Sequence, residues 1–284
     1  MTFRPYTGQA VALATQHQKH LALGPPFAQE LGATVVLAAV DTDALGTFTG
    51  DRPRVGTAEA VCAEKARLGM AALGLPLGLA SEGSFGPHPD APFLVLGVEV
   101  LVFVDAPRGL EVVERLVAER TNFGHREVAT ADELSPWLPV VGFPEHALVV
   151  QPLGAAFAAA SHKGLRDWAA LRSAVQQAAA ASPQGRALVS TDMRAHCNPT
   201  RMASIATLGQ KLARRLATPC PVCAAPGFGR IEVVPGLPCG FCGEPTQLVL
   251  AERYGCALCT HREARPRADG RTSADPGSCE FCNP

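Results

Sequence analysis

Apolar residues along the chain fall into short, partly β-branched runs separated by longer stretches of helical period. That is the pattern of strands alternating with helices. The runs at 10–15 (AVALAT) and 33–40 (ATVVLAAV) predict buried strands. Between them FAQELG predicts a short helix stopped by Gly32. A longer helix is expected over TAEAVCAEKARLGMAALG, with Thr57 as N-cap and acidic side chains near its start. LPLGLAS, PFLVLG and VEVLVFVDA read as three further strands with polar endings, whereas LEVVERLVAER fits either a strand or a helix and leaves 109–128 unassigned. HALVVQPL and RALVST predict two more strands. LRDWAALRSAVQQAAAA and PTRMASIATLGQKLARRLAT predict strong helices, the second with basic residues in its last turns, as the helix dipole prefers.

This alternation implies an α/β fold with a mixed central sheet and flanking helices. After Pro219 the helical period stops, and Cys, Gly and Pro take over. The expected organisation is therefore an α/β domain of catalytic type over 1–217 and a small cysteine-rich module over 218–284.

Composition narrows the function. With 47% hydrophobic residues the chain folds rather than staying disordered, and a net charge of -1 argues against a protein built to coat nucleic acid. The N-terminus lacks a signal-peptide pattern, and the longest apolar run, FLVLGVEVLVFVD, is interrupted by Glu99 and too short to span a bilayer. A cytoplasmic protein is expected.

Eight of the ten cysteines form four C-x-x-C pairs: Cys220/Cys223, Cys239/Cys242, Cys256/Cys259 and Cys279/Cys282. Each puts two thiols on one tight turn, and two such knuckles complete a tetrahedral Zn²⁺ shell, so two Cys₄ sites are expected. Redox-active thiols are the competing reading. Sequential pairing joins the first two knuckles and the last two; nested pairing joins the middle two and the outer two. A closed Cys₄ site does no chemistry of its own but folds a small module. Nucleic-acid contact by this tail is possible through HREARPRADGR, but from Cys220 onward six Arg face seven Asp and Glu.

Chargeable residues cluster elsewhere too. STDMRAHCNPTRM places Asp192, Arg194, His196, Cys197, Asn198 and Arg201 within a few positions, with Asn198 as a helix N-cap and Pro199 at the first helical position. Arg201 has the wrong charge for a helix start unless an anion or carboxylate stands beside it. An internal Asp192–Arg ion pair bracing the turn explains the stretch equally well. DTDALGTFTG offers Asp41 and Asp43 for an oxygen-ligated Mg²⁺ or Mn²⁺ and Thr47 for phosphate, though an Asx turn accounts for the same residues. Thr15, His17 and Lys19 follow the first strand, Glu82 and His88 follow a later one, and Asp105 ends another. Polar strand endings that converge on one sheet edge suggest an active site. Three of the four lysines, Lys19, Lys65 and Lys163, lie in or near these segments. Cys62 and Cys197 are nucleophile candidates, although buried structural cysteines are commoner.

VALATQHQKHLALGPPFAQELGATVV, then DTDALGTFTG, AEAVCAEKARLG and LPLGLASEGSFG, resemble in order the inosine/xanthosine triphosphate pyrophosphatases over roughly 10–105. His17 stands where that family has Asn. The whole chain also resembles a bacterial family of unassigned activity that carries EGSFGPHP, DMRAxxNPTRM and terminal cysteine knuckles. The first resemblance implies a nucleoside triphosphate pyrophosphatase-like fold and a metal-dependent phosphohydrolase acting on a nucleotide or related phosphate. A metal held by Glu82, Asp41 or Asp43 would activate water, with Lys65 and Lys19 neutralising charge. Thr15, His17, Thr47, His88, Lys163, Arg194, Asn198 and Arg201 would contact phosphate. The alternatives are a zinc-ribbon nucleic-acid-associated protein and a non-catalytic protein-interaction adaptor.

Overall fold

The structure is a computed structural model that describes residues 3–41, 56–88, 91, 93–118, 120–154 and 161–284. Contacts divide it into two compact units, Tyr6–Leu212, and Met1–Pro5 with Ala213–Pro284.

The first unit opens with β1 (Ala10–Ala14), α1 (His20–Leu31), β2 (Thr34–Ala38), α2 (Ala58–Leu73), β3 (Leu77–Pro87), β4 (Val95–Asp105) and β5 (Leu110–Ala118). It continues with β6 (His125–Val128), α3 (Leu138–Val141), β7 (Leu148–Pro152), β8 (His162–Leu165), α4 (Trp168–Ala181), β9 (Ala187–Thr191) and α5 (Pro199–Leu216), whose last residues, from Ala213, are counted with the second unit. The main sheet has the order β2-β1-β3-β4-β5; β1 runs parallel to both neighbours, and the rest is antiparallel. This is the mixed α/β sheet that the hydrophobic pattern predicts.

Thr57 does cap α2, accepting a hydrogen bond from the Ala60 amide. α2 buries Cys62, Ala63 and Ala66 against Ala80, Val100 and Val102 on one face of the sheet. Gly78 makes that approach possible, since a Cβ there would stand 2.5 Å from the Met70 sulfur. On the opposite face Phe27 of α1 meets Phe103, their rings 6.2 Å apart. α5 lies along α1 on that same face, with Gly209 against Leu23. A second sheet, antiparallel in the order β6-β9-β7-β8, packs under α4 around Leu148, Leu171, Val175 and Val189.

Three differences from the sequence reading bear on function. α1 starts at His20, well before FAQELG, and carries Pro25 and Pro26 inside it. Each lacks the amide that an interior helix position donates, and its ring crowds the carbonyl four residues back, so both carry a cost. PFLVLG and VEVLVFVDA fuse into the single strand β4, and EGSFG, expected as a loop, continues β3. The third is direction. β4 runs antiparallel to β3, so Asp105 pairs with Leu77 at the opposite end of the sheet from Glu82. There it accepts hydrogen bonds from the Tyr6 hydroxyl and Arg108. Asp105 therefore braces the far edge and does not join the other polar strand endings.

The second unit holds a three-stranded antiparallel sheet of β10 (Gly229–Pro235), β11 (Val249–Gly255) and β12 (Arg262–Pro266), in that order. Among the described residues no helix is long and apolar enough to cross a membrane.

Candidate functional site

β1 hands the chain to α1 and β2 on one side, while its other neighbour is β3, reached through α2 on the opposite face. The carboxyl end of β1 is thus a topological switch point, where open α/β sheets bind ligands. Beyond its last pair with β1, Leu13 with Leu79, β3 continues to Pro87 paired with β4. The edge that β1 leaves is occupied by charge. Lys19, at the start of α1, donates from Nζ to the Ser81 carbonyl at 2.9 Å.

On the α2 face Lys65 meets Glu82 at 2.5 Å, and both are buried. On the other face Arg201 grips Glu99 through Nε at 2.6 Å and Nη2 at 3.3 Å, and its Nη1 donates to the Met193 carbonyl. Glu99 is fully buried and lies opposite Gly83 in the ladder. A Cβ on Gly83 would stand 2.5 Å from Arg201 Nη2, so only glycine leaves room for the pair. This resolves the cation at the start of α5, because Glu99 is the carboxylate that Arg201 needs. Asn198 caps the helix by accepting from the Arg201 amide at 3.0 Å.

The rest of that stretch braces itself. Arg194 binds the Asp192 carboxylate through Nε and Nη2, the shortest contact being 2.6 Å, and Asp192 also accepts from the Gly164 amide. Burial raises the Asp192 carboxyl, but the Arg194 contacts outweigh it and hold the group below its ordinary value. The His196 ring then reaches the β1 loop, 5.2 Å from the His17 ring. Burial, followed by the charges of Lys19, His196, Arg201 and Arg194, pushes His17 down to about 3. Burial and Arg201 lower the Lys19 ammonium to about 8.

One cluster therefore unites His17, Lys19, Lys65, Glu82, Arg194, Asn198 and Arg201, all singled out from sequence. Other candidates stand apart from these pairs. Thr15 accepts from the His17 amide, and Asp41, exposed, accepts from Gln16 at 3.2 Å. His88 lies past the end of β3, where its amide bonds to the Leu94 carbonyl, and Lys163 is exposed on β8. Asp43 and Thr47 lie outside the described residues. Glu82 is paired with Lys65, and among the described residues only cysteines gather in a group of three or more able to hold a metal. Cys62 donates to the Ala80 carbonyl, and burial, then Glu82, pushes its thiol up; burial and Asp192 do the same to Cys197. Neither thiol is activated as a nucleophile. Glu99 escaped the sequence reading. A single carboxylate inside an apolar strand was its signal, since buried charge demands a partner.

The cysteines form two tetrads, Cys220, Cys223, Cys256, Cys259 and Cys239, Cys242, Cys279, Cys282, each with its four sulfurs within 4.8 Å of one another. First joins third and second joins fourth, an interleaved arrangement that is neither sequential nor nested. The two N-terminal knuckles repeat one design. Pro219 bridges Pro226 and Pro238 bridges Pro245, while Ala224 and Gly243, each just after the second cysteine, take positive φ to close the turn. Backbone amides point at the sulfurs, Phe241 to Cys239 at 3.4 Å and Leu258 to Cys256 at 3.3 Å. Across each tetrad the sulfurs stand 3.6 to 3.9 Å apart. Four thiolates about 2.3 Å from a zinc ion would be about 3.8 Å apart, so each tetrad fits a tetrahedral metal and the tail can form a zinc-binding module.

The family model described as Domain of unknown function (DUF6671) matches residues 65–284. No curated protein and no solved structure matches the chain.

Proposed function

The chain belongs to the DUF6671 family, and for this member we propose a phosphohydrolase that holds the phosphates of a nucleotide or related phosphoanhydride at the carboxyl end of β1, with two structural Zn²⁺ ions in its tail. The observation that carries this reading is a charge count. Four cations, Lys19, Lys65, Arg194 and Arg201, stand in one largely buried cluster with three carboxylates, Glu82, Asp192 and Glu99. Lys19 is the fourth cation: its ammonium donates to the Ser81 carbonyl and feels Glu99 and Glu82, which are already paired with Arg201 and Lys65. Ser81 adds a buried hydroxyl without a hydrogen-bond partner among the described residues. An anion would complete both.

Lys19 would neutralise phosphate charge from a fixed position, and the walls around it would exclude water. Mg²⁺ or Mn²⁺ commonly arrives on the phosphates and needs only one or two protein carboxylates. Asp41, exposed beside Gln16, would be one such carboxylate. The nucleic-acid alternative draws less support. Four of the tail's arginines are engaged by acids, in Arg230–Glu252, Arg253–Glu232, Arg265–Glu263 and Arg267–Asp269.

The test is pyrophosphate and phosphate release from a panel of canonical and deaminated nucleoside triphosphates by the zinc-loaded protein, beside Lys19→Met. Turnover that drops at least a hundredfold in the variant, in line with loss of one preorganised charge, supports the reading. Equal turnover in both proteins, or none with any nucleotide, refutes it. Lys19 also sets a pH limit. Its charge is present below about 8 and lost above it, so kcat/KM should fall as pH rises through that value.

A further inference from the structure

This inference rests on the anion-site reading. His17 comes from the loop after β1 and His196 from the turn after β9, yet their rings face each other 5.2 Å apart at an interplanar angle of 33°. Cations surround both. Lys19, Arg201 and Arg194 act on His17. Arg194 and Arg166 act on His196, and Arg166 donates to the His196 carbonyl at 3.1 Å. The nearby carboxylates are engaged by others, Asp192 by Arg194, Glu99 by Arg201 and Glu82 by Lys65. Asp41 accepts from Gln16 next to His17. His196 Nδ1 is buried with no hydrogen-bond partner among the described residues. A buried polar nitrogen left so is unfavourable unless a ligand or water completes it.

We propose that His17 and His196 form one wall of the anion site, and that this pair takes up a proton when a tetrahedral dianion binds. The site would thereby be selective for dianionic phosphoryl groups over monoanions.

In the free protein burial and the surrounding cations hold His17 at about 3, and burial with Arg194 lowers His196 as well, so both rings are neutral near pH 7. A dianion placed among these cations reverses the local field and favours the imidazolium. The complex then binds more protons than the free protein, so affinity rises as pH falls. A monoanion is already balanced by Lys19 and offers the rings no counter-charge.

Isothermal titration of the full-length, zinc-loaded protein with sodium sulfate tests this, because sulfate is a tetrahedral dianion that does not titrate near neutrality. At pH 7, in buffers of low and high ionisation enthalpy, the expected result is a net uptake of a fraction of a proton per sulfate. Affinity should rise by up to tenfold between pH 7 and pH 6, a range in which Lys19 stays largely charged. Formate should bind at least tenfold more weakly, and the proton uptake should be lost in His196→Gln and reduced in His17→Gln. Sulfate binding with no buffer-dependent heat, or with uptake unchanged in both variants, overturns the proposal while leaving the anion site standing. No sulfate binding by the wild-type protein overturns the anion site as well. The wild-type measurement needs no variant, so a variant that fails to fold does not blunt the test.

Discussion

The cysteine tetrads and the charged cluster on the main sheet both gather polar groups from distant parts of the chain, but by opposite means. In the tail each pair of ligands sits three residues apart, the first two pairs inside Pro219–Pro226 and Pro238–Pro245 bridges, and only the partnering of pairs is long-range. In the sheet cluster two of the three ion pairs join different elements, and only Arg194 with Asp192 is local. Arg201 meets Glu99 across 102 positions, and Lys65 of α2 meets Glu82 of β3 across 17. Four thiolates need a metal to be stable together, whereas the sheet cluster is largely balanced by its own ion pairs and leaves one cation over. The first arrangement suits structure and the second suits a ligand.

Removing metal should separate the two regions most sharply. Structural zinc contributes about 10–16 kcal/mol of apparent binding energy in small modules. Native mass spectrometry should find two ions per chain, and chelation should open the 220–282 amides to hydrogen exchange while β1, β3 and β4 stay protected. Because the chain alternates between tetrads, Cys239→Ser should also weaken the tetrad of Cys220. Full retention of that other ion would argue against interleaving.

Within the sheet cluster, Glu99→Ala leaves Arg201 buried without its carboxylate. It should cost about 3–5 kcal/mol in urea denaturation, as removal of one partner of a buried pair does. Adding Arg201→Met should recover part of that loss, and strict additivity would show that the two side chains do not act as a pair.

These contrasts explain what could be read in advance. Cysteine spacing announces a knuckle by itself, so all eight ligands were legible, but the partnering depends on how β10, β11 and β12 lay the knuckles side by side. The hydrophobic pattern placed β1, β2, α2, α4 and α5 because each has a clear period. β4 was split at Gly97 because glycine reads as a break, although it sits in an unbroken ladder opposite Phe85. Strand direction cannot be read from composition, which is why Asp105 was grouped with the wrong sheet edge. Lys19, Arg194 and Arg201 stood out as polar residues at element ends. Glu99 did not, since its meaning lies wholly in a partner far along the chain.

Smaller effects sharpen the same comparison. Gly83→Ala pushes a Cβ against Arg201 and Glu99, and overpacking of this kind costs about 1–3 kcal/mol. Thermal melts should show that loss, with tail metal content unchanged. Thr57→Ala removes the α2 cap and should cost about 1 kcal/mol by the same measurement, with both regions otherwise intact. A loss well above that value would mean that α2 depends on more than its own cap.

The most direct test of the central claim, that the sheet edge beyond β1 is the anion site and the tail is structural, is an anomalous-scattering map of crystals soaked in tungstate, a heavy tetrahedral dianion. The account predicts a peak beside Lys19 Nζ, Ser81 Oγ and the His17–His196 pair. A peak found only among the tail arginines, with the sheet edge empty, would contradict it.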